Sequence, residues 1–218
     1  MDKSKCLIFD LDGTLWDAID QIKDAWNEVM VEEKTGIVFS KEMILSYMGL
    51  TGDETAPLAF PPYDHEEGMR LFRLCVHHEI VSLAKNPGSL YPNEKDTLEK
   101  LSKSYPLYLI SNSDKGYVEN YLSSCGTDKY FSGHLCWGDT KFSKADNIVY
   151  LIKKEGLGEC IYIGDTRKDM LESEKAGVAF IHASYGFGRI DEKVNSIKRF
   201  DELPSAAKEC FDVLFSCK

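Results

Sequence analysis

Asp10 and Asp12 stand two residues apart, directly after the apolar run Leu7-Ile8-Phe9 and before Gly13-Thr14-Leu15. Alternation along a strand points both carboxylates one way and Leu11 the other. Like charges held that close are costly unless a cation or a shared proton offsets them. A second apolar run, Ile161-Tyr162-Ile163, ends in Gly164-Asp165 and reaches another acid, Asp169, four residues later. Together Asp10, Asp12, Asp165 and Asp169 offer the hard oxygen ligands that Mg²⁺ prefers.

Two more positions join this set. The run Leu107 to Ile110 ends in Ser111-Asn112. Lys144 begins a stretch whose apolar stripe, Ala145, Ile148, Val149 and Ile152, has helical spacing, with Ser143 as its cap. A lysine in a first helical turn opposes the macrodipole. It makes sense there if it helps hold a phosphate or balances clustered aspartates. Three apolar strands thus end in Asp10, Ser111-Asn112 and Asp165. Open α/β sheets bind ligands beyond the carboxyl ends of their strands.

The elements that position these residues follow from periodicity. Ile19, Ile22, Trp26 and Val29 mark one helix, and Met69, Phe72, Val76, Ile80 and Leu83 another. Met48 to Asp53 is loop-prone, Pro61-Pro62 is a break, and no strand is expected over 17–86. Asn86 to Pro92 reads as a return linker. Beyond it the chain alternates. A helix over 94–104 precedes the Leu107 strand, Asp114 opens a helix with Val118, Tyr121 and Leu122, and a strand is expected at Leu135-Cys136-Trp137. The Lys144 helix ends near Gly156. A helix from Asp169 to Ala176, a strand Val178 to Ile181 and a closing helix over 205–215 complete the series. Such alternation implies an α/β fold, a doubly wound Rossmann-like parallel sheet covered on both faces. The expected division is an α/β core of residues 1–16 and 88–218 with a small all-helical domain, 17–87, inserted.

Composition limits the function. A chain of 218 residues holds one solid core and a modest second unit. A net charge of -10 excludes sequence-independent binding to nucleic acid, which needs a basic face. The first residues, Met1 to Cys6, lead straight into a strand, and no apolar run is long enough to span a bilayer. Seven scattered cysteines without a C-x-x-C pair suit reduced thiols and a cytoplasmic location.

These motifs resemble the haloacid dehalogenase superfamily, in its phosphoglycolate-phosphatase-like branch with a helical cap after the first motif. Asp10-x-Asp12-Gly13-Thr14-Leu15 resembles the first motif, Ser111-Asn112-Ser113 the second, Lys144 the third and Gly164-Asp165-x-x-x-Asp169 the fourth. The resemblance implies a Mg²⁺-dependent phosphatase for a small phosphorylated metabolite such as phosphoglycolate or a nucleoside or sugar monophosphate. Asp10 would be the nucleophile and form an aspartyl-phosphate, and Asp12 the general acid/base. Ser111 and the Asn112 backbone N–H would hold phosphoryl oxygens, and Lys144 would bridge phosphate and nucleophile. Asp10 and Asp165 would bind metal through side chains, Asp12 through its carbonyl, and Asp169 directly or through water. Gly49 and Thr51 are the candidates for the substrate-facing edge of the cap.

Departures from the family pattern bear on activity. Members that displace halide from carbon typically lack the second aspartate, so Asp12 favours phosphoryl transfer. The family's Lys-Pro is Lys144-Ala145 here, and Lys141 is a competitor for the lysine role. The Thr-x-Arg-Gly cap signature resembling β-phosphoglucomutase is missing, which leaves a β-phosphoglucomutase-like phosphotransferase as the alternative. Competing with these are a non-catalytic phosphate-binding protein on the same fold and a signalling receiver domain, which would be shorter and lack Asp12. The expected assembly is a monomer or homodimer.

Overall fold

Four residues of the first apolar run, Cys6 to Phe9, are completely buried, which is the signature of a strand covered on both faces. In the computed structural model, which describes residues 3–216 and side chains through 213, this run is β1 (Lys5–Phe9). A two-residue strand β2 (Trp16–Asp17) follows, then four helices: α1 (Ile19–Glu32), α2 (Lys41–Tyr47), α3 (Gly52–Ala59) and α4 (His65–Lys85). The chain returns through β3 (Ser89–Leu90), which pairs antiparallel with β2. Next come α5 (Glu94–Ser102), β4 (Leu107–Ser111), α6 (Tyr117–Cys125), β5 (Gly133–Cys136), α7 (Trp137–Thr140), α8 (Lys144–Glu155) and β6 (Glu159–Gly164). The last elements are α9 (Arg167–Ala176), β7 (Ala179–Ala183), β8 (Ser196–Ile197) and α10 (Leu203–Ser216).

Six strands form one parallel sheet in the order β5-β4-β1-β6-β7-β8. The expected doubly wound α/β fold is present. Register explains the convergence of the candidate residues. Phe9 lies level with Leu109 of β4 and with Ile163 of β6. Asp10, Ser111 and Asp165 therefore leave the sheet within a residue of the same height.

The four helices between β2 and β3 have an aromatic centre. Trp26 packs edge-on against Phe39 and Phe72, with centroids 5.1 and 5.9 Å away, and stacks with Tyr47 at 6.1 Å. Rings in such pairs prefer these offset and T-shaped arrangements. Three polar contacts tie this helical segment to the rest of the chain: Asn112 Nδ2, just beyond β4, donates to Gly49 O at 2.9 Å, Asn120 Nδ2 of α6 to Ile80 O at 3.0 Å, and Lys168 Nζ of α9 to Glu54 at 2.8 Å.

Several boundaries differ from expectation for physical reasons. Trp137 starts α7 instead of ending β5, and Gly138 there lies so close to Lys115 that a Cβ would sit 2.1 Å from its backbone nitrogen. The helix after β4 starts at Tyr117 rather than Asp114, since Gly116 precedes it at φ +94°. The helix expected from Asp169 starts at Arg167, because Thr166 caps it and Asp169 returns the bond as the third residue of a capping box. The helix expected over 94–104 stops at Ser102. Asp17 lies in a strand and the return linker contains its partner; two-residue strands carry no periodicity to read. The closing helix starts at Leu203, two residues before the expected point. All six described cysteines are buried and free, and Cys217 lies outside the described residues.

The central strands hold the fold. Leu109→Ala, at a fully buried site of β4, is expected to cost about 2–5 kcal/mol in urea unfolding. Val31→Ala, on the exposed face of α1, should stay within about 0.5 kcal/mol. Equal effects would contradict this placement of the core.

Candidate active site

Asp10 is the first residue beyond β1, fixed by its backbone N–H donating to Ile163 O at 2.8 Å. Its carboxylate has two distinct oxygens. Oδ1 accepts from Lys144 Nζ at 2.8 Å. Oδ2 has no hydrogen-bond partner among the described residues, and Asp10 lines a cleft between the sheet and the four helices. Burial first, then the charges of Asp169 and Asp165, push its pKa up, with Lys144 pulling the other way.

Lys144 is 2% exposed and also donates to Asp169 Oδ1, at 2.5 Å. Burial works against its ammonium, but Asp10 and Asp169 outweigh that and raise its pKa. Its placement comes from the start of α8. Ser143 caps that helix through Asp146 N at 3.1 Å, and Glu172 of α9 accepts from Ala145 N at 3.0 Å. Lys141, the competing lysine, is exposed and lies over the Trp137 ring, 3.2 Å from its centroid.

Asp169 serves two neighbours at once. While Oδ1 meets Lys144, Oδ2 accepts from Thr166 N at 3.0 Å and Thr166 Oγ1 at 2.6 Å. Asp165 is fully buried, and its Oδ2 accepts from Phe187 N at 2.7 Å and Gly188 N at 3.2 Å. Its Oδ1 is buried with no partner at all among the described residues. Gly13 makes this packing possible. It adopts φ +78°, and a Cβ on it would lie 2.3 Å from Asp165 Oδ2.

Ligand atoms of Asp10, Asp165 and Asp169 all lie within 4.8 Å of one another. Three buried carboxylates face one ammonium, so two negative charges are left over. An orphaned, buried Asp165 Oδ1 and a surplus of hard oxygen donors fit a divalent cation such as Mg²⁺. Burial first, then the charge of Asp169, push Asp165 up to about 7.

The Asp12 carboxylate is outside this trio. Its Oδ1 accepts from Tyr117 Oη at 2.8 Å and Trp16 Nε1 at 3.0 Å, while Oδ2 accepts no hydrogen bond among the described residues. Burial raises its pKa against the pull of these two donors. A carboxyl whose pKa is raised by burial, with one oxygen anchored and one open, is arranged to exchange a proton with a ligand in the cleft. Ser111 Oγ accepts from Ser113 N at 3.1 Å, which leaves its hydroxyl hydrogen for a ligand. Asn112 uses its side-chain amide on Gly49 O, and its Oδ1 is buried without a partner among the described residues. Gly49 lines the cleft beside Asp10 and Asp12. Thr51 does not line it: its N–H and hydroxyl both donate to Glu54 at the start of α3.

Sequence reasoning missed four contributors. Tyr117 is 105 residues from Asp12, and nothing in its own helix marks it. Trp16 is accessible in principle, since the Gly13 turn brings residue 16 back over residue 12. The 186–188 loop that cradles Asp165 has only its glycines as a signal. Glu79 is the most readable, a lone acid among the buried positions Phe72, Cys75 and Leu83 of α4.

Residues 7–183 match the haloacid dehalogenase-like hydrolase family, and the chain belongs to it. Among curated proteins, a phosphoglycolate phosphatase of Vibrio parahaemolyticus is 28% identical over 195 residues, covering 84% of this chain and 85% of its own. Among solved structures, CbbY from Rhodobacter sphaeroides in complex with phosphate superposes with a TM-score of 0.80 at 16% identity, over 95% of this chain and 100% of that one. A β-phosphoglucomutase from Clostridium difficile gives 0.76 at 18% identity, over 97% and 100%. The chain is therefore a haloacid dehalogenase-like hydrolase that is similar to phosphoglycolate phosphatases.

The carboxylate surplus has a measurable consequence. Asp165, near 3.8 unfolded and about 7 folded, binds more protons in the native state, so stability falls as pH rises from about 4 to 7. A cation on these carboxylates should restore stability most where they are ionised. Millimolar Mg²⁺ is expected to raise the melting temperature more at about pH 7.5 than at about pH 5. A shift that is absent, or larger at the lower pH, would contradict a metal site here.

Proposed function

We propose that this protein is a Mg²⁺-dependent phosphatase that hydrolyses a small phosphomonoester through an aspartyl-phosphate on Asp10. The observation that carries this reading is the division of labour between two neighbouring carboxylates. Asp10 opens one oxygen on the cleft beside a charge-compensating lysine, and Asp12 is anchored through one oxygen by Tyr117 and Trp16 while burial raises its pKa.

Asp10 Oδ2 attacks phosphorus in line, and the bond to the leaving oxygen breaks as Asp12 supplies its proton. Asp12, now a carboxylate, takes a proton from water as that water attacks the phosphoryl group. The bond to Asp10 breaks, phosphate leaves, and Asp12 is protonated again. Ser111 and the Asn112 backbone N–H orient the phosphoryl oxygens. Lys144 keeps Asp10 aligned and offsets charge. Asp10, Asp165 and Asp169, with the Asp12 carbonyl, would hold Mg²⁺, which when bound neutralises charge on the phosphoryl oxygens.

Residues 17–87 act in this proposal as a cap that excludes bulk water during the reaction. The Asn112–Gly49 bond supports that role, since it links a residue of the second motif directly to the helical segment. Hydrolysis is favoured over phosphotransfer between sugar positions. A mutase must hold a second phosphate at the far end of its substrate, and no lysine or arginine among the described residues lines this cleft. No helix of the described residues is long and apolar enough to cross a membrane, and the buried free thiols support a cytoplasmic setting.

Phosphate release from a panel of phosphomonoesters tests the proposal. Activity should vanish with EDTA, return with Mg²⁺, and fall by roughly 10³-fold or more in Asp10→Asn. Wild-type turnover by Asp10→Asn, or full activity without a divalent ion, would contradict it.

A further inference from the structure

The cleft above Asp10 and Asp12 has an unusual chemical lining. Its walls are largely aromatic and aliphatic, with Trp26, Tyr47, Phe72 and Val76 from the helical segment and Tyr117 from the core. Its charged groups are Asp10, Asp12, Glu79 and Asp114, all acids; among the described residues no lysine, arginine or histidine lines it. Three of the nearby cations are paired with acids of their own. Lys144 serves Asp10 and Asp169, Lys168 pairs with Glu54, and Arg70 with Glu33 and Glu67. Arg73 and Lys141 act on Asp114 from outside the lining.

Glu79 is the feature that gives this lining a purpose. It sits in the middle of α4, 7% exposed, with no basic partner among the described residues. Trp26 Nε1 donates to its Oε2 at 2.5 Å. Its Oε1 accepts no hydrogen bond among the described residues, and Glu79 lines the cleft. An acid buried without a cation costs stability unless something else uses it.

We propose that Glu79 recognises an ammonium group on the leaving alcohol, so that the preferred substrate is an aminoalkyl phosphate bearing a primary to quaternary ammonium. This rests on the phosphatase reading above and names its substrate class. An ammonium there would lie in a cleft lined by the Glu79 carboxylate and by the aromatic side chains of Trp26, Tyr47, Phe72 and Tyr117, the residue types with which aromatic cages hold such cations. Low-dielectric walls bearing charges of one sign focus that attraction. Burial raises Glu79 to about 8 in the absence of a partner, and an incoming ammonium favours its ionised form. A carboxylate in the same place, as in phosphoglycolate, would face Glu79 and Asp114 with no cation to receive it.

The test compares isosteres on the purified, Mg²⁺-loaded enzyme. Phosphocholine and 3,3-dimethylbutyl phosphate have the same shape and differ by the charged nitrogen. The wild type should hydrolyse the charged ester with kcat/KM at least about tenfold higher. Phosphoethanolamine should likewise exceed phosphoglycolate. In Glu79→Gln the ratio between the isosteres should fall to about one, while Glu79→Asp should keep part of it. The wild-type ratio needs no variant, so it decides the matter even if Glu79→Gln fails to fold. A ratio near one, a preference for phosphoglycolate, or a ratio unchanged in a folded Glu79→Gln would overturn the ammonium assignment and leave the phosphatase reading standing. No release from any of these esters, nor from p-nitrophenyl phosphate, would overturn both.

Discussion

Lys144 lies between Asp10 and Asp169 inside a cluster with more negative charge than it can offset. Much of the site can be understood as a means of holding that imbalance. Breaking a buried ion pair from one side leaves an uncompensated charge, so neither partner can move without cost. The surplus also has a use. It offers a divalent cation a set of hard oxygen donors and keeps Asp10 close to Lys144 without consuming its second oxygen. Asp165 shows the same logic, with one oxygen pinned by two backbone N–H groups and the other left bare.

The sheet makes this arrangement possible by register. Three adjacent parallel strands end at one level, so residues far apart in the chain reach one cleft. Helices α8 and α9 then bring in Lys144 and Asp169 at their first turns. Capping fixes both positions, through Ser143 in one helix and Thr166 in the other. Asp169 is at once a capping residue and a member of the charge cluster. The turn-former and the functional residue are here the same side chain.

Much of this is legible from residue order alone. Strand ends are marked by short apolar runs followed by Asp, Ser-Asn or Gly-Asp, and a parallel α/β sheet dictates where such ends meet. Lys144 is readable because a lysine in a first helical turn goes against the dipole. Contacts that depend on tertiary packing are not legible. Tyr117 reaches Asp12 only through the docking of α6, and β2 pairs with β3 over two residues. Thr51 reads as a substrate contact because it sits in a glycine-rich turn, and the structure uses it to cap α3. Glu79, though a lone acid among buried positions, is passed over because the buried face of α4 is turned slightly from the line through Met69, Val76 and Ile80, all three only half-buried.

The cleft joins two environments of opposite character, a buried carboxylate cluster and an aromatic-lined chamber. Asp12 lies where they meet, anchored by Tyr117 and Trp16. The central claim is that Asp10 becomes covalently phosphorylated while Asp12 moves the protons. Mass spectrometry of an Asp12→Asn variant quenched during turnover tests this most directly. One added phosphoryl group is expected on the peptide that carries Asp10. A phosphoryl group on another residue, with Asp10 unmodified, would contradict it.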